Sequence, residues 1–197
     1  MIRSRLSRLL HDKRGVTALE FAFILPPFLF LLMGGSEVVY QVYVQSILDG
    51  AIQKAARDSA IQGGAQRIDE LDGKVLNMVR VVAKSATVES STRRSYANFA
   101  NIRPERFTDR NANNSYDPTE CFDDVNGNKR WDADPGITGQ GGANDVTLYT
   151  LKLRYERLFP VAAILGWNQQ AIVAATTLLK NQPYGAQSTN TPETICS

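Results

Sequence analysis

Histidine is almost missing: His11 is the sole imidazole in 197 residues. It lies in a basic leader, so a chain without that leader has no histidine for Ser-His-Asp or Cys-His catalysis or for a metal site. Cysteine is nearly as scarce. Cys121 and Cys196 match no zinc or redox spacing. They read as one disulfide in an oxidising compartment or as two plain thiols in a reducing one. A phosphate loop is lacking too, because Gly139-Gln140-Gly141-Gly142 is not followed by Lys-Ser/Thr and reads as a flexible turn. The adjacent acids Asp123 and Asp124 point apart on an extended chain. No catalytic constellation emerges, so an enzyme is not expected, and no internal repeat is evident.

An excess of one charge is also missing, but the small net charge of +2 hides an asymmetry. Residues 1–15 hold Arg3, Arg5, Arg8, Lys13 and Arg14 against Asp12, which leaves 17 basic and 19 acidic residues in the rest. A weakly acidic remainder argues against a nucleic-acid partner. The basic leader suits the cytoplasmic edge of a membrane.

Beyond the leader the chain turns apolar. Phe21 to Ser36 has no charge, and Glu20 and Glu37 bracket it. Extending the helix back to Val16 gives about 30 Å at ~1.5 Å per residue, enough for a hydrocarbon core. Glu20 then sits in the apolar zone, where a carboxylate is costly and usually functional. Pro26 and Pro27 remove two backbone donors and predict a bend or loosening. A secretory signal would need a small-residue cleavage site after the apolar core, and Gly34-Gly35-Ser36 is a weak substitute. A plain anchor has no use for Glu20. Cleavage before the apolar stretch, between Gly15 and Val16, accounts for the glycine and the glutamate together.

The stretch Arg14-Gly15-Val16-Thr17-Ala18-Leu19-Glu20-Phe21 resembles the processing motif of type IV prepilins, and most closely that of TadE-like pseudopilins of tight-adherence (Tad, or Flp) pili. The resemblance implies cutting after Gly15 by a membrane prepilin peptidase, with Glu20 as fifth mature residue pairing with the amino terminus of a neighbouring subunit. It implies other pilins and an inner-membrane assembly platform as partners. It also implies a single-pass inner-membrane protein, associated with the pilus, whose carboxyl-terminal domain is extracytoplasmic. The role implied is that of a minor pseudopilin acting in assembly, priming or at the tip. The alternative is an uncleaved membrane-anchored extracytoplasmic binding domain, with calcium-dependent binding as one form of it.

Three segments are expected: a leader over 1–15, a transmembrane and amphipathic stalk helix over 16–62, and an extracytoplasmic α+β domain over 63–197. Val38, Val42, Ile47, Leu48, Ala51, Ile52 and Ala55 continue the helical period, and Gly63-Gly64 supplies a stop. A second helix is predicted from Ile68 to about Thr87, then a polar linker through Ser90–Arg94. Strands are predicted over 145–155 and 171–180, with helix as the alternative for the first half of the latter, and a third strand near 96–107. A short helix or turn is expected over 161–166. The fold class is thus a long helix followed by a small domain with a helix packed on an antiparallel sheet.

Between the predicted elements, Asp124, Asn126, Asn128 and Asp132 fall at positions one, three, five and nine of an EF-hand-type calcium loop, with the Arg130 carbonyl nearby. Lys129 replaces the usual glycine at six, and Pro135 stands where a bidentate glutamate is expected. Two readings therefore stand, a calcium site or an Asx-rich turn held by its own hydrogen bonds. Disulfide closure of the carboxyl-terminal region is common in pilin domains, and the resemblance implies a Cys121–Cys196 bridge.

Overall fold

The computed structural model describes residues 16–60, 68–182 and 192–196. The leader with Gly15, and the Gly63-Gly64 stop, lie outside them. Helix α1, Val16–Ala60, continues for 45 residues through Pro26 and Pro27, a length of roughly 68 Å at 1.5 Å per residue. Two compact units form, the described residues 16–42 with 157–170, and 43–156 with 171–196.

In the first unit, α1 leaves Phe21, Phe23, Ile24, Phe28 and Leu31 exposed. Glu37 is buried, and its Oε2 accepts from the Leu158 and Phe159 amides at 3.1 and 3.4 Å. Arg157 lies 3.6 Å from the other oxygen. That carboxylate holds the chain just ahead of the short helix over 161–164.

In the second unit, α1 buries Val44, Leu48, Ala51, Ile52, Ala55 and Ala56, a stripe at helical spacing. Helix α2, Ile68–Arg80, adds Leu71, Val75 and Val79. It ends seven residues before the predicted Thr87, because the Val79 carbonyl accepts from both Val82 and Ala83 and closes a turn. The Arg80 side chain then caps that turn on the Ala86 carbonyl at 2.9 Å.

The stretch expected to be a linker is a strand. Strand β1, Thr87–Tyr96, pairs antiparallel with β4, Val146–Glu156, from Thr87↔Arg154 to Tyr96↔Val146, with an irregularity at Val88/Ser90. On its other side is β3, Ile137–Thr138. Strand β5, Gln170–Lys180, completes the order β3-β1-β4-β5. The third strand thus lies before, not within, 96–107, where a 3-10 turn at Phe99–Asn101 follows. Helix α3, Val161–Ile164, joins β4 to β5 in sequence as expected. The period-2 burial of β4 and β5 places Tyr149, Leu151, Leu153 and Val173 in the core. The fold class is α+β: a long apolar helix, then a small domain of helix and antiparallel sheet. Away from the main sheet, β2, Phe122–Asp124, pairs antiparallel with β6, Glu193–Ile195. Beside this pair Cys121 is bonded to Cys196.

Arg93 explains how a strand reading Ser-Ser-Thr-Arg-Arg-Ser can lie inside a sheet. It is 6% exposed, donates to Asp72 Oδ1 of α2 at 2.6 Å, and stacks 3.9 Å over the Tyr149 ring. The Tyr149 hydroxyl donates to the same carboxylate oxygen. Burial alone would raise the Asp72 carboxyl. Hydrogen bonds from Arg93, Ser91 and Tyr149, together with the Arg93 charge, outweigh it and hold the group below the ordinary carboxylate value. A depressed carboxylate stabilises the fold fully above the unfolded value of about 3.9, and that contribution is lost as pH falls through the lower native value. Denaturant unfolding from pH 6 downward should therefore show a steeper acid loss in the wild type than in Asp72→Asn; parallel profiles would mean that Asp72 is not coupled.

Candidate functional site

Two regions carry chemistry beyond packing. The first is the amino-terminal half of α1. Val16 opens the helix and Glu20 follows one turn later, exposed between exposed Leu19 and Phe21. This helix is long and apolar enough to cross a membrane, and among the described residues none of its apolar stretch is buried. An ionisable group in such a surface is expensive in lipid unless a partner meets it. A family model described as TadE-like protein matches residues 15–57.

The amino-terminal helix resembles that of TadE-like proteins.

The match begins at Gly15, includes Glu20, and ends before α2, so the α+β domain lies outside it. No curated protein matches the chain. No solved structure matches it either.

Downstream of the TadE-like helix, the second region is the loop after β2. The structure brings Asp124, Asn126, Asn128 and Asp132 together. The Asp124 oxygens accept from the amides of Gly127 at 2.7 Å, Asn128 at 3.3 Å and Lys129 at 2.7 Å. Asn126 and Asn128 both aim their NH2 groups at Asp132 Oδ2, at 2.8 and 2.6 Å. Lys129 adopts the left-handed backbone that a glycine would favour there, φ 61°. The departure at position six therefore leaves the turn intact.

A residue that sequence reasoning missed answers the departure at position twelve. Glu105, 3% exposed, reaches the loop from an earlier segment, its Oε1 accepting from Val125 and its Oε2 from Asp132, each at 2.9 Å. Burial raises its carboxyl above the ordinary value; the two backbone donors oppose this, and the charges of Asp124 and Asp132 add to it. Among the described residues no three carboxylate, thiolate or imidazole side chains gather into a metal cluster by themselves. Calcium loops take part of their oxygen set from amides and backbone carbonyls, so a site there does not require a cluster of carboxylates alone.

The aromatic side chains Tyr116 and Trp131 stack beside the loop with centroids 4.9 Å apart. At its far end, Asp134 pairs with Arg94 and accepts from Tyr96 at 2.8 Å. Burial, and then this acceptor, push the Tyr96 hydroxyl up to about 12. Gly136 is required at that point: a Cβ there would lie 2.7 Å from the Tyr96 ring.

Proposed function

We propose that this chain is a minor pseudopilin of a Tad-type pilus, a structural and assembly protein rather than an enzyme. The observation that carries the reading is the TadE-like match over 15–57, on a helix whose apolar side chains are exposed. The basic leader would stay in the cytoplasm, and a prepilin peptidase would cut between Gly15 and Val16. The α+β domain would then lie outside the inner membrane. Within a bundle of such helices, Phe21 to Met33 would pack against neighbouring subunits, and Glu20 would pair with a neighbour's new amino terminus, offsetting the membrane cost of both charges. A domain of this bulk suits priming, capping or decorating a filament better than repeating along a thin shaft.

The test is the intact mass of the protein purified from membranes of its own host. A chain beginning at Val16 is expected; one beginning at Met1 would refute processing and leave the uncleaved anchored domain as the function. Glu20→Ala should still be cut at Gly15 but be lost from sheared pilus fractions, by at least tenfold on immunoblots. Undiminished recovery would remove Glu20 from assembly.

A further inference from the structure

The loop at 124–132 has a twin. Fifteen residues earlier, Asp109, Asn111, Asn113 and Asp117 repeat the spacing of Asp124, Asn126, Asn128 and Asp132, so the chain does contain an internal repeat. The hydrogen bonds repeat too. Asp109 accepts from the Asn113 and Asn114 amides at 3.2 and 2.8 Å, and Asn111 and Asn113 aim their NH2 groups at Asp117 Oδ2 at 2.6 and 2.9 Å. Left-handed residues fall at the fourth and sixth positions of both, Ala112 and Asn114 in one, Gly127 and Lys129 in the other. An antiparallel bridge, Phe107↔Phe122, joins the two loops.

The first loop is the more complete: Asp109 to Glu120 reads Asp-x-Asn-x-Asn-x-x-x-Asp-x-x-Glu over twelve positions, with the terminal glutamate that the second lacks. A separate observation ties the two together. Glu120 Oε1 accepts from the amide of position two, Arg110, at 2.8 Å, and Oε2 from that of position nine, Asp117, at 3.1 Å. Glu105 makes the same two bonds, to positions two and nine of the second loop. Two glutamates thus arrive by different chain routes at one equivalent place. Both are almost wholly buried, at 2% and 3% exposure.

Each loop thus draws on three carboxylates, which do not close into a metal cluster by themselves, and on two asparagine amides. Among the described residues none of the six forms an ion pair with lysine or arginine. Glu105, Glu120 and Asp124 are buried without a countercharge, which is costly, and a local turn needs neither a buried glutamate nor its replacement from another segment. A divalent cation offsets that cost.

We propose that residues 105–132 form a paired calcium site holding two ions. Asp109, Asn111, Asn113, Asp117, Glu120 and the Ser115 carbonyl would serve the first. Asp124, Asn126, Asn128, Asp132, Glu105 and the Arg130 carbonyl would serve the second. Turning the asparagine amides presents oxygen where NH2 now faces Asp117 and Asp132, in exchange for the bonds their Oδ1 atoms accept from the amides of Asn113, Ser115, Asn128 and Arg130. Calcium fits a flexible set of six to eight oxygens better than magnesium, which demands a near-ideal octahedron. The site does not depend on processing at Gly15 or on the pilus reading.

The full chain in detergent, first stripped with chelator, should retain two calcium ions per chain after equilibrium dialysis at about 5 mM calcium, a level above the range of extracellular calcium modules. Glu120→Gln and Glu105→Gln should each hold one ion, and the double variant none. Where circular dichroism shows that either has misfolded, the exposed-loop variants Asn113→Ala and Asn128→Ala replace them, each with one ion lost. Fewer than two ions in the wild type, or two ions retained in both single variants, would overturn the proposal.

Discussion

Replacing Arg93 with methionine is expected to destabilise the unit formed by residues 43–156 and 171–196 by about 3–5 kcal/mol, the range for stripping one partner from a buried ion pair. The methionine keeps an apolar stem over Tyr149 but leaves Asp72 with a charge and no cation. Asp72 would then draw on the Tyr149 hydroxyl and local donors alone. Because Asp72 is on α2, Arg93 on β1 and Tyr149 on β4, the loss falls where the helix meets the sheet. Denaturant unfolding of the full chain in detergent measures it. Asp72→Leu combined with Arg93→Met should recover much of the loss, since an apolar pair of similar volume is often as stable as a buried ion pair. A single variant within 1 kcal/mol of wild type would show that the ion pair is not a principal tie.

Breaking the Cys121–Cys196 bond should cost roughly 4 kcal/mol, from the chain entropy released when a link across 75 residues is lost. The effect should concentrate on β2 and β6. Three residues pair on each side there, and an isolated two-stranded ribbon is marginal in water. The Thr194 hydroxyl donating to Asp123 at 2.8 Å holds the same pair and is too exposed to replace the bond. Comparing Cys121→Ser/Cys196→Ser with wild type, under oxidising and reducing conditions, separates the terms. Wild type should fall to the variant's stability in reductant, and an unchanged midpoint would mean that the bond closes a segment already ordered.

The elements legible in the sequence were those with a single unbroken pattern. A charge-free run between Glu20 and Glu37 announces a helix whatever packs against it, and the alternation in Val146–Glu156 survives as alternating burial. Strand β1 was illegible because its inward arginine is indistinguishable from a solvated one until Asp72 and Tyr149 face it from other elements. Glu105 was illegible for a related reason: sequence spacing identifies ligands supplied by a loop, never one supplied by the strand of chain before it. Asp109 to Glu120, by contrast, was open to reading, its signal obscured because asparagine stands where the glycine of such loops is expected. The left-handed backbone at Asn114, φ 57°, shows why asparagine serves.

The route of the chain around the two loops has a consequence for variation among related sequences. It leaves the sheet after Tyr96 and re-enters at Ile137, beside its point of departure: Ser95 faces Ile137, Arg94 faces Thr138, and the Gly139 amide donates to the Arg93 carbonyl. The intervening forty residues are thus an insertion between adjacent strands. Whole loops could be gained or shed there in evolution, or a foreign segment grafted in, without re-registering β1 against β4, provided Cys196 kept or lost its partner along with them.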